Sequence, residues 1–467
     1  MFLRHIYDEK LAQSSYMVAC PATGEALVID PARDITPYEK IAEQQGFRLV
    51  AAVETHIHAD FVSGARELAQ QHDATLLLSD EGGDGWQYTY LDDYKHALLH
   101  DGDTFEVGSV QFTTYHTPGH TPEHLMFKVA MGDQDYGLFT GDFVFVGDLG
   151  RPDLLEKAAN EPDTAEKLAR QMFQSAQAFK QQADYLQVFP GHGAGSACGK
   201  SLGAVPSSTV GYEKRFNPML QHEDEQTFVD ALLDGLNAPP AYFSLMKQVN
   251  RDGPKLLSSV GKADNMPPAV LQNTLKRGQT IVDTRNRYTF AAEHIPGTIN
   301  IELGMSFPNR AGQLISYEGP FFVITDDKTA VVRDLRSIGL DNLAGVFPLS
   351  VFNTLARSSS MEFQSYENRA PEEVAGSIQS GTRTVIDVRD DSEWEEGHIP
   401  NARHIPLGQL PQQLDTLTKN APLVVHCASG VRSAVAASLL QAAGFEVINM
   451  DGGFQAWEQA ELPVTTD

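Results

Sequence analysis

Thr55-His56-Ile57-His58-Ala59-Asp60-Phe61 follows closely on the apolar run Leu49–Val53. That run reads as a buried strand, and the residues after it bring two imidazoles and a carboxylate close together. Three later segments repeat the form of apolar strand, turn and ligand-type side chain. They are Tyr115-His-Thr-Pro-Gly-His120, Leu138-Phe-Thr-Gly-Asp142 and Val188-Phe-Pro-Gly-His192. Ligands at strand ends are held by rigid elements and face a shared open edge. A glycine before the ligand opens backbone conformations closed to other residues. Imidazole and carboxylate suit zinc, Fe(II) or manganese. Any one of these histidines alone reads as a satisfied surface or core group, but four such segments in order predict a metal site.

The first run resembles the His-x-His-x-Asp-His signature of the metallo-β-lactamase superfamily, and Pro-Gly-His120, Gly-Asp142 and Pro-Gly-His192 match that family's order and spacing. The resemblance covers the whole first domain and implies an αββα sandwich. Binuclear members, such as the glyoxalase II hydrolases, place a second histidine after the aspartate, where this chain has Phe61. Phenylalanine cannot ligate a metal, so a single ion per chain is expected. Resemblance to the persulfide dioxygenases of the superfamily implies Fe(II) in a triad of His56, His120 and Asp142, with coordination positions left for O2 and a sulfur substrate. It makes His58, Asp60 and His192 supporting groups that orient ligands or water. Gly147-Asp-Leu-Gly-Arg151-Pro-Asp153 also resembles that family. Arg151 is expected to meet an anionic thiol substrate through its planar, charged fork. It can also pair with Asp153 as a structural tie, and the two roles can coexist. Cys198 lies six residues after His192 in a glycine-rich stretch. It is either a catalytic carrier of sulfane sulfur or a small buried residue.

The 467 residues suggest two to four domains, at roughly 100–200 residues each. The formal charge of −27 excludes the basic footprint of a nucleic-acid binder. No apolar run approaches the ~18–20 residues of a membrane span. The N-terminus carries no secretory pattern, so a soluble cytoplasmic protein is expected. Three cysteines, Cys20, Cys198 and Cys427, make no disulfide framework and fit a reducing compartment. Cys20 sits in an apolar strand and reads as core.

Strands are expected over Val110–Tyr115, His124–Val129 and Tyr136–Phe139, and helix over Leu154–Gln182 with a break near Pro162. A linker is expected around Asn250–Pro254, and an internal repeat follows it. Ile281-Val-Asp283-Thr-Arg285 and His294-Ile-Pro296 recur, 104 residues on, as Val385-Ile-Asp387-Val-Arg389 and His398-Ile-Pro400. A repeat this long means duplicated domains. A boundary falls near Ser358-Ser359-Ser360. The expected limits are 1–248, 262–356 and 366–467.

In the last domain, Leu423-Val-Val-His426-Cys427-Ala-Ser-Gly-Val-Arg432-Ser433 reads as strand, loop and helix start. That geometry aims backbone N–H groups and the helix dipole at the sulfur, favouring a thiolate and a bound anion. Arg432 is expected to add a fixed charge. Four residues, Ala428, Ser429, Gly430 and Val431, separate Cys427 from Arg432. The cysteine phosphatases have five, and the tighter loop resembles that of the rhodaneses, as do Asp387-Val-Arg389, Gly397-His398-Ile-Pro400 and Met450–Trp457. This resemblance makes Cys427 a persulfide carrier, with Ala428–Val431 and Ser433 binding substrate. The middle domain has Thr325 or Asp326 in the cysteine's place. It is expected to be a rhodanese-like domain without catalytic function, serving as spacer, docking surface or contact in a homo-oligomer. Arg285 and His294 are then fold features.

The expected class is α/β, an N-terminal metallo-β-lactamase sandwich followed by two rhodanese-like domains. The resemblances imply oxidation of a low-molecular-weight persulfide, of glutathione or coenzyme A, to sulfite by O2, with Cys427 passing a second sulfur to sulfite to give thiosulfate. The alternatives are a glyoxalase II-like thioester hydrolase with a sulfurtransferase domain, and a persulfide carrier or sensor.

Overall fold

The computed structural model describes residues 1–154, 164–200, 202–358 and 361–466. Chain contacts divide it into two compact units, Met1–Val260 with Arg336–Gly339, and Gly261–Leu335 with Leu340–Asp467. The break expected at Pro162, and Ser359 and Ser360 of the expected boundary, lie outside the described residues.

The first unit holds two six-stranded sheets. One runs in chain order through Phe2–Asp8, Gln13–Cys20, Glu25–Ile29, Arg48–Val53, Thr75–Ser79 and His96–Leu99. The other has the order Ser208–Thr209, Gln187–Pro190, Gln134–Gly141, Leu125–Met131, Val110–His116, Thr104–Val107. Inner faces of both supply one core, with Val18, Leu27 and Val53 from the first sheet and Phe112, Phe127 and Phe139 from the second. Each fully buried side chain of this size contributes about 1.5–3 kcal/mol. The outer face of the first sheet packs on the helices Thr36–Gln45 and Ala65–His72. On the second sheet's outer face lies Thr164–Phe179, which buries Leu168, Ala169, Met172, Phe173, Ala176 and Phe179 at the spacing of one helical face. This is the expected αββα sandwich.

The unit extends past the expected limit at 248. Helix Phe243–Asp252 buries Asn250, whose Nδ2 donates to the carbonyls of His58 and Phe61 at 2.7 Å each and whose Oδ1 accepts from Ser63 N. That helix therefore holds the histidine run in place.

The second unit contains two parallel five-stranded sheets. Their orders are Asp264–Asn265, Leu343–Phe347, Phe321–Ile324, Thr280–Asp283, Ile299–Asn300, and Glu367–Arg369, Val447–Met450, Leu423–His426, Val385–Asp387, Arg403–His404. Numbered by chain position within each sheet, the order is the same in both. The repeat in the sequence is thus a repeat of topology. Among the described residues no helix is long and apolar enough to cross a membrane.

Candidate metal centre and cysteine loop

Four strands of the sandwich end at ligand-type residues. His56 follows Arg48–Val53, His120 follows Val110–His116, Asp142 follows Gln134–Gly141, and His192 follows Gln187–Pro190. All four side chains are buried. Gly141, at φ +50°, makes the approach possible, because a Cβ there would stand 2.6 Å from both His124 Nε2 and Thr55 Oγ1.

The structure brings His56, His120 and Asp142 together, with one donor atom of each within 4.8 Å of the others. Asp142 Oδ2 lies 3.8 Å from His56 Nε2 and 3.4 Å from His120 Nε2. The outer nitrogens are already committed. His120 Nδ1 donates to the carbonyl of Arg151 at 2.9 Å. His56 Nδ1 donates to Thr55 Oγ1 at 2.9 Å, and that hydroxyl in turn donates to Asp30 Oδ2. These partners fix both tautomers so that the Nε2 lone pairs point inward. Burial, followed for His56 by the neighbouring His58, lowers both pKa values and keeps the rings neutral. Against burial, His192 and the two histidines hold Asp142 well below the usual carboxylate range. Two of the inward atoms, His56 Nε2 and Asp142 Oδ2, are buried with no hydrogen-bond partner. An interior lone pair left unmet costs about 1–3 kcal/mol, and a divalent cation among these atoms would satisfy them. The donor set fits such an ion. Two neutral imidazoles and a carboxylate suit Fe(II) or zinc alike.

The supporting groups fall into two clusters. His192 bridges two carboxylates, with Nδ1 to Asp142 Oδ1 and Nε2 to Asp60 Oδ2, both at 2.7 Å. Against the lowering effect of burial, Asp142 and Asp60 push its pKa up to about 10. His58 turns its Nε2 to Glu54, 2.9 Å away, and to Asp30 at 3.2 Å, while its Nδ1 is buried without a partner. Against burial, Asp30 and then Glu54 raise it well above the ordinary value. Phe61 packs on His58 with ring centroids 4.4 Å apart, so an apolar ring closes the end of the histidine run.

Packing bears on two residues whose roles the sequence left open. Arg151 is buried and makes four hydrogen bonds within the protein. It makes a two-pronged pair with Asp153, Nε to Oδ1 at 2.6 Å and Nη2 to Oδ2 at 2.8 Å, and also holds the carbonyls of Ala197 and Asn237. It ties three loops together. Cys198 does lie beside Asp60 and His192. Burial, then Asp142 and Asp60, raise its thiol well above the ordinary value, which disfavours the nucleophilic thiolate. Cys20 is buried at the end of its strand, as core.

Several positioning residues were not singled out from sequence. Asp30 ends the apolar strand Glu25–Ile29, the same local form as the ligand segments, and it accepts the backbone N–H of Thr55 at 2.7 Å. His124 accepts the backbone N–H of Asp142 and sits four residues after His120. Asn250 gave no local signal.

In the second unit, Cys427 follows strand Leu423–His426 and its sulfur is buried. Gly430, in the left-handed region at φ +91°, turns its N–H to Cys427 Sγ at 3.2 Å and opens helix Val431–Ala442. Ser429 and Val431 are exposed at the rim, Ala428 is half-buried, and Ser433 Oγ is buried without a partner. The Met450–Trp457 motif explains the loop's shape. Phe454 N donates to the Cys427 carbonyl at 2.7 Å and Gln455 N to that of Ala428 at 3.0 Å. A Cβ on Gly453 would come within 2.3 Å of the Cys427 carbonyl oxygen. Arg432 is not a free charge. Its Nη1 meets Asp390 at 2.9 Å and Glu393 at 2.6 Å, and its Nη2 meets Glu393 at 2.6 Å.

The middle sheet shows which residue stands at the register position of Cys427. Asp387 pairs with His426 and Asp283 with Ile324, so Thr325 stands where Cys427 does. Thr325 Oγ1 accepts from Asp327 N, and Asp326 accepts from Leu349 N.

Comparison with known proteins agrees with this geometry. Residues 9–198 match the metallo-beta-lactamase superfamily and residues 370–460 match the rhodanese-like domain. A crystal structure of a metallo-beta-lactamase from Staphylococcus aureus subsp. aureus COL is similar at 37% identity and a TM-score of 0.67, covering 74% of this chain and 98% of that one. The mitochondrial persulfide dioxygenase ETHE1 of Bos taurus is 26% identical over 51% of this chain and 83% of its own. A hydroxyacylglutathione hydrolase of Tolumonas auensis is 30% identical over 38% of this chain and 62% of its own. The chain belongs to the metallo-β-lactamase superfamily and carries a rhodanese-like domain at its C-terminal end.

Proposed function

We propose that this chain is a persulfide dioxygenase coupled to sulfur transfer. The observation that carries the reading is one convergent donor set beside an apolar ring. His56, His120 and Asp142 converge with unmet donor atoms, while Phe61 occupies the place of a second metal's histidine. The likeness to a persulfide dioxygenase supports it, as does a rhodanese-like domain in the same chain.

Bound by the triad, Fe(II) would supply O2 activation at coordination positions the protein leaves open. The chain's own groups do the rest. Thr55 and the Arg151 carbonyl hold the two imidazoles in the ligating tautomer. His192 shares its two protons with Asp60 and Asp142, fixing the carboxylate's free oxygen toward the site. Overall, a persulfide RSSH, O2 and water give RSH, sulfite and two protons.

At Cys427 the thiolate attacks the outer sulfur of a second RSSH. The S–S bond breaks, RS⁻ leaves and takes a proton, and Cys427 keeps the persulfide. Sulfite then attacks that sulfur, releasing thiosulfate and restoring the thiolate. Joining the two activities in one chain raises the effective concentration of one for the product of the other. The middle domain is read as a rhodanese-like domain that has lost its nucleophile, and the role as sulfide detoxification.

The test is O2 uptake by the Fe(II)-loaded chain, with glutathione persulfide and coenzyme A persulfide compared and sulfite and thiosulfate both assayed. Uptake with one iron per chain is expected. A second reading, thioester hydrolysis, rests on the hydrolase relative and on the Asp60–His192–Cys198 cluster, which could hold a second ion. Both nitrogens of His192 are spent on carboxylates, which weighs against it. Two zinc ions per chain, thioester hydrolysis and no O2 uptake would replace the first reading with the second.

A further inference from the structure

Cys427 is recessed, at 1% exposed, whereas Ser429 and Val431, on either side of the Gly430 turn, are exposed. A persulfide RSSH can therefore bring its outer sulfur to Cys427 while its organic group stays at the rim. Val431 opens helix Val431–Ala442, in which Ser433 to Ser438 are buried without a break. A helix buried all round needs cover on more than one side. Strands Leu423–His426 and Val447–Met450 of its own sheet give one cover. The middle domain gives the other, through strand Ile299–Asn300 and helix Arg287–Ala292, and Asn300 N donates to Ser438 Oγ at 2.8 Å. The matching helix of the middle domain, Lys328–Ser337, buries Val331, Asp334 and Leu335, the spacing of a single face.

Tyr288 stands in the first turn of the covering helix, and direct contacts link it to the Cys427 loop. Its OH donates to Asp451 Oδ1 at 3.1 Å. That same oxygen would lie 3.5 Å from a Cβ on Gly430, whose N–H holds Cys427 Sγ at 3.2 Å. The residue is fixed at three points. Besides the hydroxyl, its backbone N–H donates to Asn286 Oδ1 at 3.0 Å, and the Arg287 guanidinium lies 4.7 Å from the ring centroid. Even so, Tyr288 is 45% exposed, and Val431 is 41% exposed. An aromatic ring pinned by its hydroxyl and open on its surface offers rigid apolar contact at little entropic cost. The charge of the loop's own arginine is meanwhile spent, since Asp390 and, doubly, Glu393 hold Arg432. An inorganic oxyanion gains little from that arginine, while an organic group has two apolar side chains to touch.

We propose that Tyr288 and Val431 form a two-domain apolar rim that binds the organic group of a persulfide whose outer sulfur is passed to Cys427. The cysteine-less domain then supplies a specificity-determining side chain to its neighbour's site, which gives it a function without a nucleophile of its own. The proposal rests on Cys427 being the sulfur carrier, and its test separates the two.

The experiment is steady-state sulfur transfer to cyanide by the full chain without O2, with either pantetheine persulfide or thiosulfate as donor. Pantetheine persulfide carries an uncharged organic arm and thiosulfate carries none. Loss of the ring contact predicts that Tyr288→Ala raises KM for pantetheine persulfide by about fivefold or more, with kcat changed far less. The KM for thiosulfate should stay as in the parent. Tyr288→Phe, which keeps the ring and loses the bond to Asp451, should bind pantetheine persulfide nearly as the parent does. An unchanged pantetheine persulfide KM in Tyr288→Ala overturns the proposal. So does a rise as large for thiosulfate, which marks a structural role, or a Tyr288→Phe variant no better than Ala, which assigns the effect to Asp451. Transfer that survives Cys427→Ser would instead overturn the reading of Cys427 and take the proposal with it.

Discussion

Asp283 and Asp387 stand at the same place in two sheets of the same strand order, and each is gripped by the arginine two residues on. Arg285 Nε reaches both oxygens of Asp283, at 3.1 and 2.9 Å, and Arg389 does the same to Asp387 at 3.0 and 2.9 Å. Each guanidinium lies over a phenylalanine, Phe352 at 3.7 Å and Phe454 at 4.0 Å. His294 Nδ1 bonds the carbonyl of Phe290, and His398 Nδ1 that of Trp394. The two domains part at the end of one strand, where Ile324-Thr325 faces His426-Cys427. The shared residues therefore build the frame, and chemistry is added to it by a few residues at one strand end. Arg432, the loop's own arginine, belongs with the frame more than expected, since two carboxylates hold it.

The sharpest break in this comparison is the cysteine itself. On the proposed mechanism Cys427→Ser should cut sulfur transfer by at least about three orders of magnitude, as loss of a nucleophile does elsewhere. The reverse change, Thr325→Cys, should confer none. Thr325 is not followed by a Gly–Val–Arg loop, and Asp326 is held by Leu349 N. Measurable transfer by Thr325→Cys in a Cys427→Ser background would show that the frame alone suffices.

Next come the paired arginines. Removing one strands a buried carboxylate, which costs about 3–5 kcal/mol in a fully buried pair. Arg285→Ala and Arg389→Ala should both lower the urea midpoint of the domain concerned. The Arg389 loss should be larger, since that side chain is 4% exposed against 13% for Arg285. A stable Arg285→Ala would mean the middle domain no longer depends on the shared frame.

What the sequence revealed follows the same division. The four strand-end donor residues were legible because each is a local pattern of strand, turn and donor. The cysteine loop was legible for the same reason. Asn250 was not, since its partners His58 and Phe61 lie 192 and 189 residues away. The fates of Arg151 and Arg432 were half legible. Their positions could be read, but whether a guanidinium faces a substrate or a carboxylate depends on residues such as Asn237 and Glu393 that only folding brings near.

The smallest expected effect is a pH dependence that one domain has and the other lacks. His426 is fully buried on the active strand, 3.6 Å from Asp387, and Ile324 holds its place in the middle sheet. Burial lowers the His426 pKa despite Asp387, with Arg389 adding to the lowering. A histidine whose folded pKa is depressed binds its proton more readily when unfolded. Its contribution to stability is therefore complete above the unfolded value of about 6.5 and is lost as pH falls below it toward the folded pKa. One proton sets a slope of at most about 1.4 kcal/mol per pH unit. Denaturant unfolding of the last domain should therefore weaken between pH 7 and 5, and His426→Ile should flatten that loss. The apolar replacement also leaves Asp387 with Arg389 as its partner, so it should separate the histidine's titration from the ion pair's strength. An unchanged slope in His426→Ile would assign the acid sensitivity to some other group, and the strand end would then differ between the domains in chemistry alone.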